Sequence, residues 1–351
     1  MPTPGPAMFA YVVRRLFSGV VMLLVMSFVT ILLFFSAPVD PARQMCGKSC
    51  TPERIEQTRK ALGYDKPPTT QWAAFVKGVV VGRDYPADEQ MRKEAPQNVV
   101  HCSAPCLGYS TVSQQMVASA VGSHVPVSAS LALCAFVMWI IAGVVLGVIA
   151  ALFKGTVLDR TIVGASLLFY AFPTFALALG IYTFFALTPF PGLGHPLFPI
   201  PNYTPISQGG VWTWFVNLLL PAFTLALVFI AGYVRITRSF VLESGQEDYI
   251  RTAKAKGLES RRILLKHTMR AALTPIVTIA GLDLGGLLGG AIITEKIFNY
   301  PGLGKLAFDS TVNYDLPIIV GIVLVAASFV IVANLVVDIL YAVIDPRVKY
   351  S

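Results

Sequence analysis

Charged residues are scarce in this sequence. Asp, Glu, Lys and Arg make up 13% of the 351 residues, about half of the roughly 25% found in soluble globular domains. With 55% hydrophobic residues and a mean hydropathy of +0.67, most of the surface must face a solvent other than water, which excludes a soluble fold. We predict an all-α polytopic membrane protein, because helices satisfy their own backbone hydrogen bonds in lipid.

Recognisable catalytic motifs are also missing. The sequence has neither H-E-x-x-H nor G-x-S-x-G, and its four histidines lie far apart without metal-ligand spacing. The run Pro301–Leu306 superficially resembles a phosphate loop but lacks the earlier glycine and a Ser or Thr after Lys305. We therefore predict no enzymatic activity, no metal and no cofactor in this chain. Any nucleotide that energises it must bind another polypeptide.

Cysteine is rare, and four of the five cysteines lie in one segment. They form two pairs with C-x3-C spacing, Cys46 with Cys50 and Cys102 with Cys106. On an outer membrane face this pattern favours disulfides, in any of three connectivities. A metal or cluster site of four thiolates is the alternative, although C-x2-C is its usual spacing. Cys134 lies in an apolar run and is predicted to be a small buried hydrophobe.

Long apolar runs, in contrast, are abundant. Six runs are poor in charge and long enough to cross a bilayer. They are Leu16–Phe35, Val125–Phe153, Thr161–Leu187, Val211–Val234, Ala271–Thr294 and Leu316–Ile344. The first lacks a clear cleavage site, so we predict a permanent helix there. Pro173 and Pro221 predict kinks in the third and fourth runs, either in a moving pathway or as static bends.

The distribution of positive charge predicts the orientation. With the N-terminus inside, the cytoplasmic side collects fifteen of the 27 Lys and Arg residues, and the short outer loops hold only Lys296 and Lys305. This bias places both termini in the cytoplasm. The net charge of +8 then reflects topology, and nucleic-acid binding is the weaker explanation.

The predicted domain organisation follows from these spans. An N-terminal transmembrane helix (1–36) precedes an extracytoplasmic segment (37–122), a core of five transmembrane helices (123–345) and a cytoplasmic tail (346–351). In the second segment, Thr51 is a predicted N-cap for a helix through Leu62, with Pro52 at its first position. Gln71–Val81 predicts an amphipathic helix near the lipid headgroups.

One polar stretch, Arg235–Arg270 within the loop 235–274, separates two of the apolar runs. It predicts a first helix over Gln246–Lys256, ended by Gly257 in a left-handed conformation, and a second helix capped by Ser260. Ile250, Ala253 and Gly257 share one stripe of the first helix. Because so short a hairpin cannot bury a core alone, we expect this stripe to pack on another subunit.

Asp283 is one of two acidic residues in the runs; the other, Asp338, stands one turn from Asn334 and is predicted to join helices. Asp283 falls on nearly the same side of its predicted helix as Gly286 and Gly290. A carboxylate in lipid must be paired or face water. It either contacts a cationic group on a passing substrate or accepts a hydrogen bond from a neighbouring helix.

These residues resemble a known family. The stretch Glu247–Leu258, EDYIRTAKAKGL, is similar to the cytoplasmic coupling-loop motif of ABC importer permeases, in the form used by dipeptide and oligopeptide permeases. Further matches are Leu220–Leu227, Gly285–Ala291 followed by Glu295, Tyr300–Gly304 and Asp345–Arg347. The N-terminal run with Thr51–Glu53 and Leu62–Gly63 resembles the B-type subunit.

The resemblance implies a type I ABC importer permease fold and a bacterial inner-membrane location. It also implies a second homologous permease in a heterodimer, two cytoplasmic ATPases that bind ATP and Mg²⁺, and an extracytoplasmic substrate-binding protein. Residues expected to couple to an ATPase are Tyr249, Arg251, Thr252, Ala253, Lys254, Ala255, Lys256 and Gly257. Residues expected along the substrate pathway are Asp283, Gly286, Gly290, Pro173 and Pro221.

Three features depart from the family pattern. Arg251–Ala253 replaces a strict E-A-A triplet, the segment from about Tyr85 to Gln115 is longer than usual, and Asp283 stands where the family often has an amide. Peptides are the expected cargo, with nickel, haem or another small solute as the alternative. A proton-coupled secondary transporter using Asp283, and an intramembrane enzyme, are the alternatives from other classes.

Overall fold

The computed structural model of the chain describes residues 6–36, 40–46 and 50–344. Helices dominate the described part. They are α1 (Pro6–Ser36), α2 (Pro41–Cys46), α3 (Pro52–Leu62), α4 (Pro68–Val81), α5 (Glu89–Glu94), α6 (Val117–Leu152), α7 (Val157–Ala171), α8 (Thr174–Tyr182), α9 (Ile206–Ser244), α10 (Asp248–Ala255), α11 (Ser260–Arg262), α12 (Met269–Leu288), α13 (Ile292–Ile297), α14 (Leu303–Val312) and α15 (Leu316–Ile344). Wider π turns continue α8 over Thr183–Leu187 and join α11 to α12 over Ile263–Thr268.

Two short antiparallel ladders interrupt the helices. Strand β1 (Arg83–Tyr85) pairs with β2 (Val100–Cys102), with Asp84 opposite His101. Strand β3 (Tyr109–Ser110) pairs with β4 (Gln115–Met116). Both ladders lie in the segment that sequence placed outside the membrane.

Five helical stretches in the described part of the chain are long and apolar enough to cross a membrane. They are Val13–Ser36, Val117–Leu152, Ile206–Ser244, Ser260–Leu288 and Leu316–Asp338. The predicted span Thr161–Leu187 is not one straight helix, because α7 and α8 meet at a bend of 100°. Phe172 is extended (φ −76°, ψ 135°), as expected for the residue before Pro173, and so α7 stops there.

The two prolines predicted to bend their helices, Pro173 and Pro221, occupy different positions in the structure. Pro173 separates two helices, whereas Pro221 is buried inside α9. The non-helical residue within α9 is Gly210 (φ 72°, ψ 171°), where a glycine accepts a conformation that side chains disfavour. The break in helical dihedrals within α9 therefore lies at Gly210, near the start of the helix.

The chain forms two compact units. The first contains the described residues up to Pro126 together with Gly302–Ile331. In it α1 packs against α4, where Trp72 Nε1 donates a 3.0 Å hydrogen bond to Ser27 Oγ. The side chain of Thr51 caps α3 by accepting from Arg54 N, as the sequence predicted.

The cysteines of the first unit decide between two predictions. Cys102 and Cys106 are joined by a disulfide with 5.5 Å between their Cα atoms, and Cys50 is also disulfide-bonded. The side chain of Cys46 lies outside the described part of the structure. The alternative prediction of a site built from four thiolates is therefore wrong, because Cys102 and Cys106 already form a disulfide with each other. Cys134 in the second unit is a half-buried free thiol.

The second unit contains Val127–Pro301 and the described residues from Val332 onward. Its core is held by close approach of α6 and α9. A β-carbon on Gly143 would lie 2.6 Å from Tyr233 Cβ, and one on Gly147 would lie 2.6 Å from Thr237 Cβ. Since these glycines are four residues apart, they form a ridge that lets the two helices touch. Trp139 stacks on Phe229 with ring centroids 4.5 Å apart.

The polar stretch folds differently from its prediction. Helix α9 continues as far as Ser244, and Ser260 is the first residue of its helix, with Glu259 before it and no side-chain cap. That helix continues without a break into the fifth span, so the predicted separate second helix is the beginning of Ser260–Leu288. Short polar runs cannot reveal this continuity, since the apolar run that follows stabilises the whole helix.

The fifth span ends earlier than predicted. Its helix stops at Leu288, and Gly290 has φ 114°, a left-handed value that suits glycine. Gly290 therefore lies off the helix that carries Asp283, and the predicted stripe of Asp283, Gly286 and Gly290 is wrong beyond Gly286. Gly281 on the same helix packs directly against Val337 of α15, which fits a close helix approach.

Candidate coupling segment and intramembrane carboxylates

Helix α10 has one covered face and one open face. Ile250 and Ala253 are 1% and 7% exposed and pack with Ile263 and the partly buried Leu258. The predicted apolar stripe is therefore covered within the chain by the start of the next helix. Our expectation that this stripe packs on another subunit is wrong, because two of its three residues are already buried.

The end of α10 is a compact glycine-dependent turn. Gly257 has φ 75°, its N–H donates to Lys254 O at 2.9 Å, and Leu258 N–H donates to Ala253 O at 3.3 Å. These two bonds form a Schellman motif, which reverses the chain after a helix. A β-carbon on Gly257 would meet no atom within 4 Å. The turn thus needs glycine for its backbone angle, and the space around it is open.

The open face of α10 carries small and polar side chains. Asp248, Arg251, Thr252 and Ala255 are exposed, and at 100° per residue they lie opposite the covered Ile250 and Ala253. Tyr249 borders this face with 45% of its surface exposed. We call Thr252, Ala255 and Gly257 the small-residue face. The exposed cations beside this face are Arg251, Lys254 and Lys256.

Two acids of neighbouring helices bind α9 in different ways. Asp159 accepts two hydrogen bonds from Arg238, from Nε at 2.7 Å and from Nη2 at 2.8 Å, and one from Gly155 N at 2.8 Å. The Asp159 side chain is 6% exposed. A bidentate pair with a third donor satisfies the carboxylate and ties α7 to the end of α9 that leads into α10.

No motif in the sequence predicts this pair. Its one local signal is Thr156, whose Oγ1 caps α7 by accepting from Asp159 N at 3.4 Å. A Thr followed three residues later by an acid marks a helix start, but it does not name Arg238, which lies 79 residues further along the chain. Only the packing of α7 on α9 brings the two together.

Asp283 has a neutral partner. Tyr233 Oη donates to its Oδ2 at 2.7 Å, and no described Lys, Arg or His forms an ion pair with it. The hydrogen bond agrees with the structural interpretation of Asp283. The carboxylate nevertheless keeps further acceptor capacity, since an ionised carboxylate accepts about four bonds.

A third acid of the second unit is fully buried. Glu295 is 0% exposed and accepts from Ser128 Oγ at 2.6 Å and from Ala291 N at 3.3 Å. Nearby, Tyr300 donates its hydroxyl to Asn217 O at 2.7 Å. Both residues belong to runs on which the family resemblance rests, and both fix loops after the fifth span. Another such run, Asp345–Arg347, lies outside the described residues.

Two family models together match most of this chain. A family model described as binding-protein-dependent transport system inner membrane component matches residues 143–350, and the corresponding N-terminal model matches residues 8–132. The chain belongs to this family. It is therefore a multi-pass inner-membrane component of a transport system, as the sequence resemblance predicted.

Individual relatives align with almost the whole length of this chain. A protein named as a peptide transport system permease of Brucella abortus (strain 2308) is 34% identical over 98% of this chain and 100% of its own. The dipeptide transport system permease protein DppB of Escherichia coli (strain K12) is 32% identical over 98% of this chain and 100% of its own.

A solved structure supports the fold of the family member. An inward-facing conformation of the MetNI methionine ABC transporter matches with a TM-score of 0.50 at 15% identity. The match covers 64% of this chain and 96% of that one. At this identity the likeness concerns the fold alone, and it confirms the predicted ABC importer permease architecture. Among the described residues, no group of three or more His, Cys, Asp or Glu is placed to hold a metal.

Proposed function

We propose that this chain is the transmembrane permease subunit of an ATP-driven importer for dipeptides and oligopeptides. Two kinds of observation support the substrate class. Full-length relatives at 32–34% identity carry the names of peptide and dipeptide permeases. In addition, Asp283 lies within a span and has no cationic partner among the described residues. A negative charge there suits cargo with a free amino group.

The partners follow from the same assignment. The permease forms half of a translocation pathway and pairs with a second homologous permease as a heterodimer. Two cytoplasmic ABC ATPases bind ATP and Mg²⁺ and hydrolyse the nucleotide, so this subunit holds no cofactor and performs no catalysis. An extracytoplasmic binding protein delivers the cargo, both termini lie in the cytoplasm, and the segment 37–122 lies outside.

The observation that carries the coupling role is the division of α10 into a covered and an open face. The covered face makes α10 rigid on its own chain, through Ile250, Ala253 and Ile263. The small-residue face is left for a partner, with Tyr249 beside it. A rigid helix that seats in an ATPase transmits displacement to α9, whose end is held to α7 by the pair of Arg238 and Asp159.

The proposed substrate pathway lies along the spans of the second unit. Asp283 and the exposed Gly286 share one side of α12. Pro173 marks the bend between α7 and α8, which supplies a point where the pathway changes shape. Pro221 is buried within the chain and acts there through the shape of α9, and Gly290 supplies the turn after α12.

Two alanines on α10 give a matched test of this proposal. Ala255→Trp should abolish copurification of the ATPase and transport while leaving the permease folded, because Ala255 lies on the open face. Ala253→Trp should instead destabilise the permease itself by about 1–3 kcal/mol, the usual cost of overpacking a filled core. ATPase capture, peptide uptake and thermal unfolding are measured on the full complex.

An exposed alanine elsewhere supplies the control. Ala73→Trp on α4 should leave capture of the ATPase unchanged, because α4 belongs to the segment assigned to the outside. Normal ATPase capture and uptake by Ala255→Trp would refute the coupling role. Uptake of nickel or haem in place of peptides by the assembled complex would refute the cargo and keep the coupling.

A further inference from the structure

The first unit contains a cavity of about 370 Å³ that the transport assignment does not use. Its walls come from α4, β1 and the turn after α3. Its apolar lining includes Ile31 of α1 and Leu316 and Val320 of α15. Since α1 and α15 are both membrane spans, the cavity lies where two spans end and the extramembrane segment begins. That level of a bilayer is occupied by lipid headgroups.

The cavity lining is strongly cationic. Its charged residues are Lys66, Lys77, Arg83, Arg92 and Asp84, four cations against one acid. Asp84 is already engaged, with 2.6 Å between its Oδ1 and His101 Nδ1. Arg92 is also engaged, donating to Pro86 O and Ala87 O. A positive surface of this kind favours an anionic ligand.

Three buried side-chain groups in the lining have no hydrogen-bond partner among the described residues. They are Arg83 Nε and the hydroxyls of Tyr64 and Tyr85. Arg83 forms no ion pair with a described acid. A buried donor left unpaired costs about 1–3 kcal/mol, so folds retain such groups where something binds them.

Packing holds the side chains of Arg83 and Tyr64 in place. The Arg83 guanidinium lies over the Tyr85 ring, 4.8 Å from its centroid, and a β-carbon on Gly78 would come within 3.0 Å of Arg83 Cδ. The Tyr64 ring packs edge-on against Phe35 at 5.1 Å. Burial, and then the nearby Asp315 carboxylate, raises the pKa of Tyr64, so its hydroxyl stays protonated and able to donate.

The surface beside the cavity indicates where its ligand comes from. Val80 and Val81 at the end of α4 are 72% and 69% exposed, directly after the cavity residues Lys77 and Gly78. Exposed valines next to lysines are typical of a helix lying at the membrane surface. A soluble anion would not require them.

We propose that this cavity binds the phosphate-bearing headgroup of an anionic phospholipid, with Arg83 and Tyr64 donating to its oxygens and the acyl chains lying beside α1 and α15. Arg83 supplies a charge-assisted bond to the phosphate. Tyr64 supplies a neutral one. The lipid would join the extramembrane segment to the two spans that form the floor of its cavity.

Thermal unfolding of the full-length protein in neutral detergent tests this site. Short-chain phosphatidylglycerol should raise the midpoint in a saturable way, and short-chain phosphatidylcholine should not. Arg83→Gln should weaken the apparent affinity for phosphatidylglycerol by tenfold or more, as expected for losing a charged hydrogen bond. Tyr64→Phe should weaken it by about three- to tenfold, and should leave the lipid-free midpoint unchanged or higher, because it removes an unpaired hydroxyl.

A substitution outside the cavity serves as the control for these variants. Arg54→Gln changes an exposed arginine of α3 outside the cavity and should leave the affinity unchanged. Affinity within twofold of the native protein for both Arg83→Gln and Tyr64→Phe, or equal stabilisation by phosphatidylcholine, would overturn the proposal. Inorganic phosphate or glycerol phosphate stabilising as strongly as phosphatidylglycerol would overturn the lipid assignment and identify a soluble anion instead.

Discussion

The middle and the end of α9 each bind an acid from a neighbouring helix, and the two contacts differ in kind. At the end, Arg238 forms a bidentate ion pair with Asp159, which also accepts from Gly155 N. In the middle, Tyr233 gives Asp283 a single neutral hydrogen bond. The two acids therefore differ in their remaining capacity: Asp159 accepts three hydrogen bonds and joins two helices, whereas Asp283 keeps further acceptor positions, which we propose are used by cargo.

Removing the first acid should have the largest effect. Asp159→Ala leaves the Arg238 guanidinium, whose side chain is 28% exposed, without its counter-charge, and should cause the largest loss of stability among these variants. Thermal unfolding of the purified protein measures this loss. The double variant with Arg238→Ala should lose less than the sum of the single variants, because the two residues act as a pair. Strictly additive losses of stability would show that the two side chains do not stabilise each other.

Neutralising the second acid should affect transport more than stability. Asp283→Asn keeps an oxygen that accepts from Tyr233, so we expect a stability change under about 1 kcal/mol. Uptake of peptides with a free amino group should fall by roughly tenfold, the effect of about 1.4 kcal/mol, while uptake of N-acetylated peptides stays nearly unchanged.

Tyr233→Phe is the matched control for this prediction. It removes the hydrogen bond and keeps the charge of Asp283, so it should preserve the preference for a free amine. Equal losses of uptake for free and N-acetylated peptides in Asp283→Asn would show that Asp283, like Asp159, has only a structural role.

A third acid, in the first unit, should show the smallest effect. Asp315 is 3% exposed, and burial raises its pKa, partly opposed by the hydrogen bond from Ser110. A raised folded pKa means that stability is greatest below the unfolded pKa of about 3.9 and declines as pH rises through the folded pKa. Asp315→Asn should flatten this decline and raise the thermal midpoint at neutral pH, by less than roughly 1 kcal/mol. A steeper pH dependence in the variant would contradict the assignment.

Local signals in the sequence predicted local structure well. Thr51 caps α3 and Leu62 ends it, and Gly257 reverses the chain after α10 in the expected left-handed conformation. These features depend on the chemistry of neighbouring residues, a hydroxyl beside free N–H groups and a residue without a β-carbon. The errors at Ser260 and Leu288 arose where a polar or glycine signal competed with a longer apolar helix.

The candidate site was only half predictable for the same reason. Sequence placed the coupling residues on one short helix, but it could not say which face the rest of the chain would cover. Ile263 decides this by burying Ala253 and leaving Ala255 open. The partners of Asp159 and Asp283 lie 79 and 50 residues away, beyond the reach of any spacing rule.

Composition by itself determined that this protein crosses a membrane, because too few charged residues are present to cover a soluble surface. The ordered set of short motifs determined its family. Tertiary structure alone decided the 100° angle between α7 and α8, the pairing of Asp159 with Arg238, and the presence of Arg83 and Tyr64 in one cationic cavity. The hydrophobic effect is non-directional and scales with the apolar area removed from water, so it needs no particular partner. Hydrogen bonds and ion pairs act over about 3 Å and join distant residues only where packing brings them together.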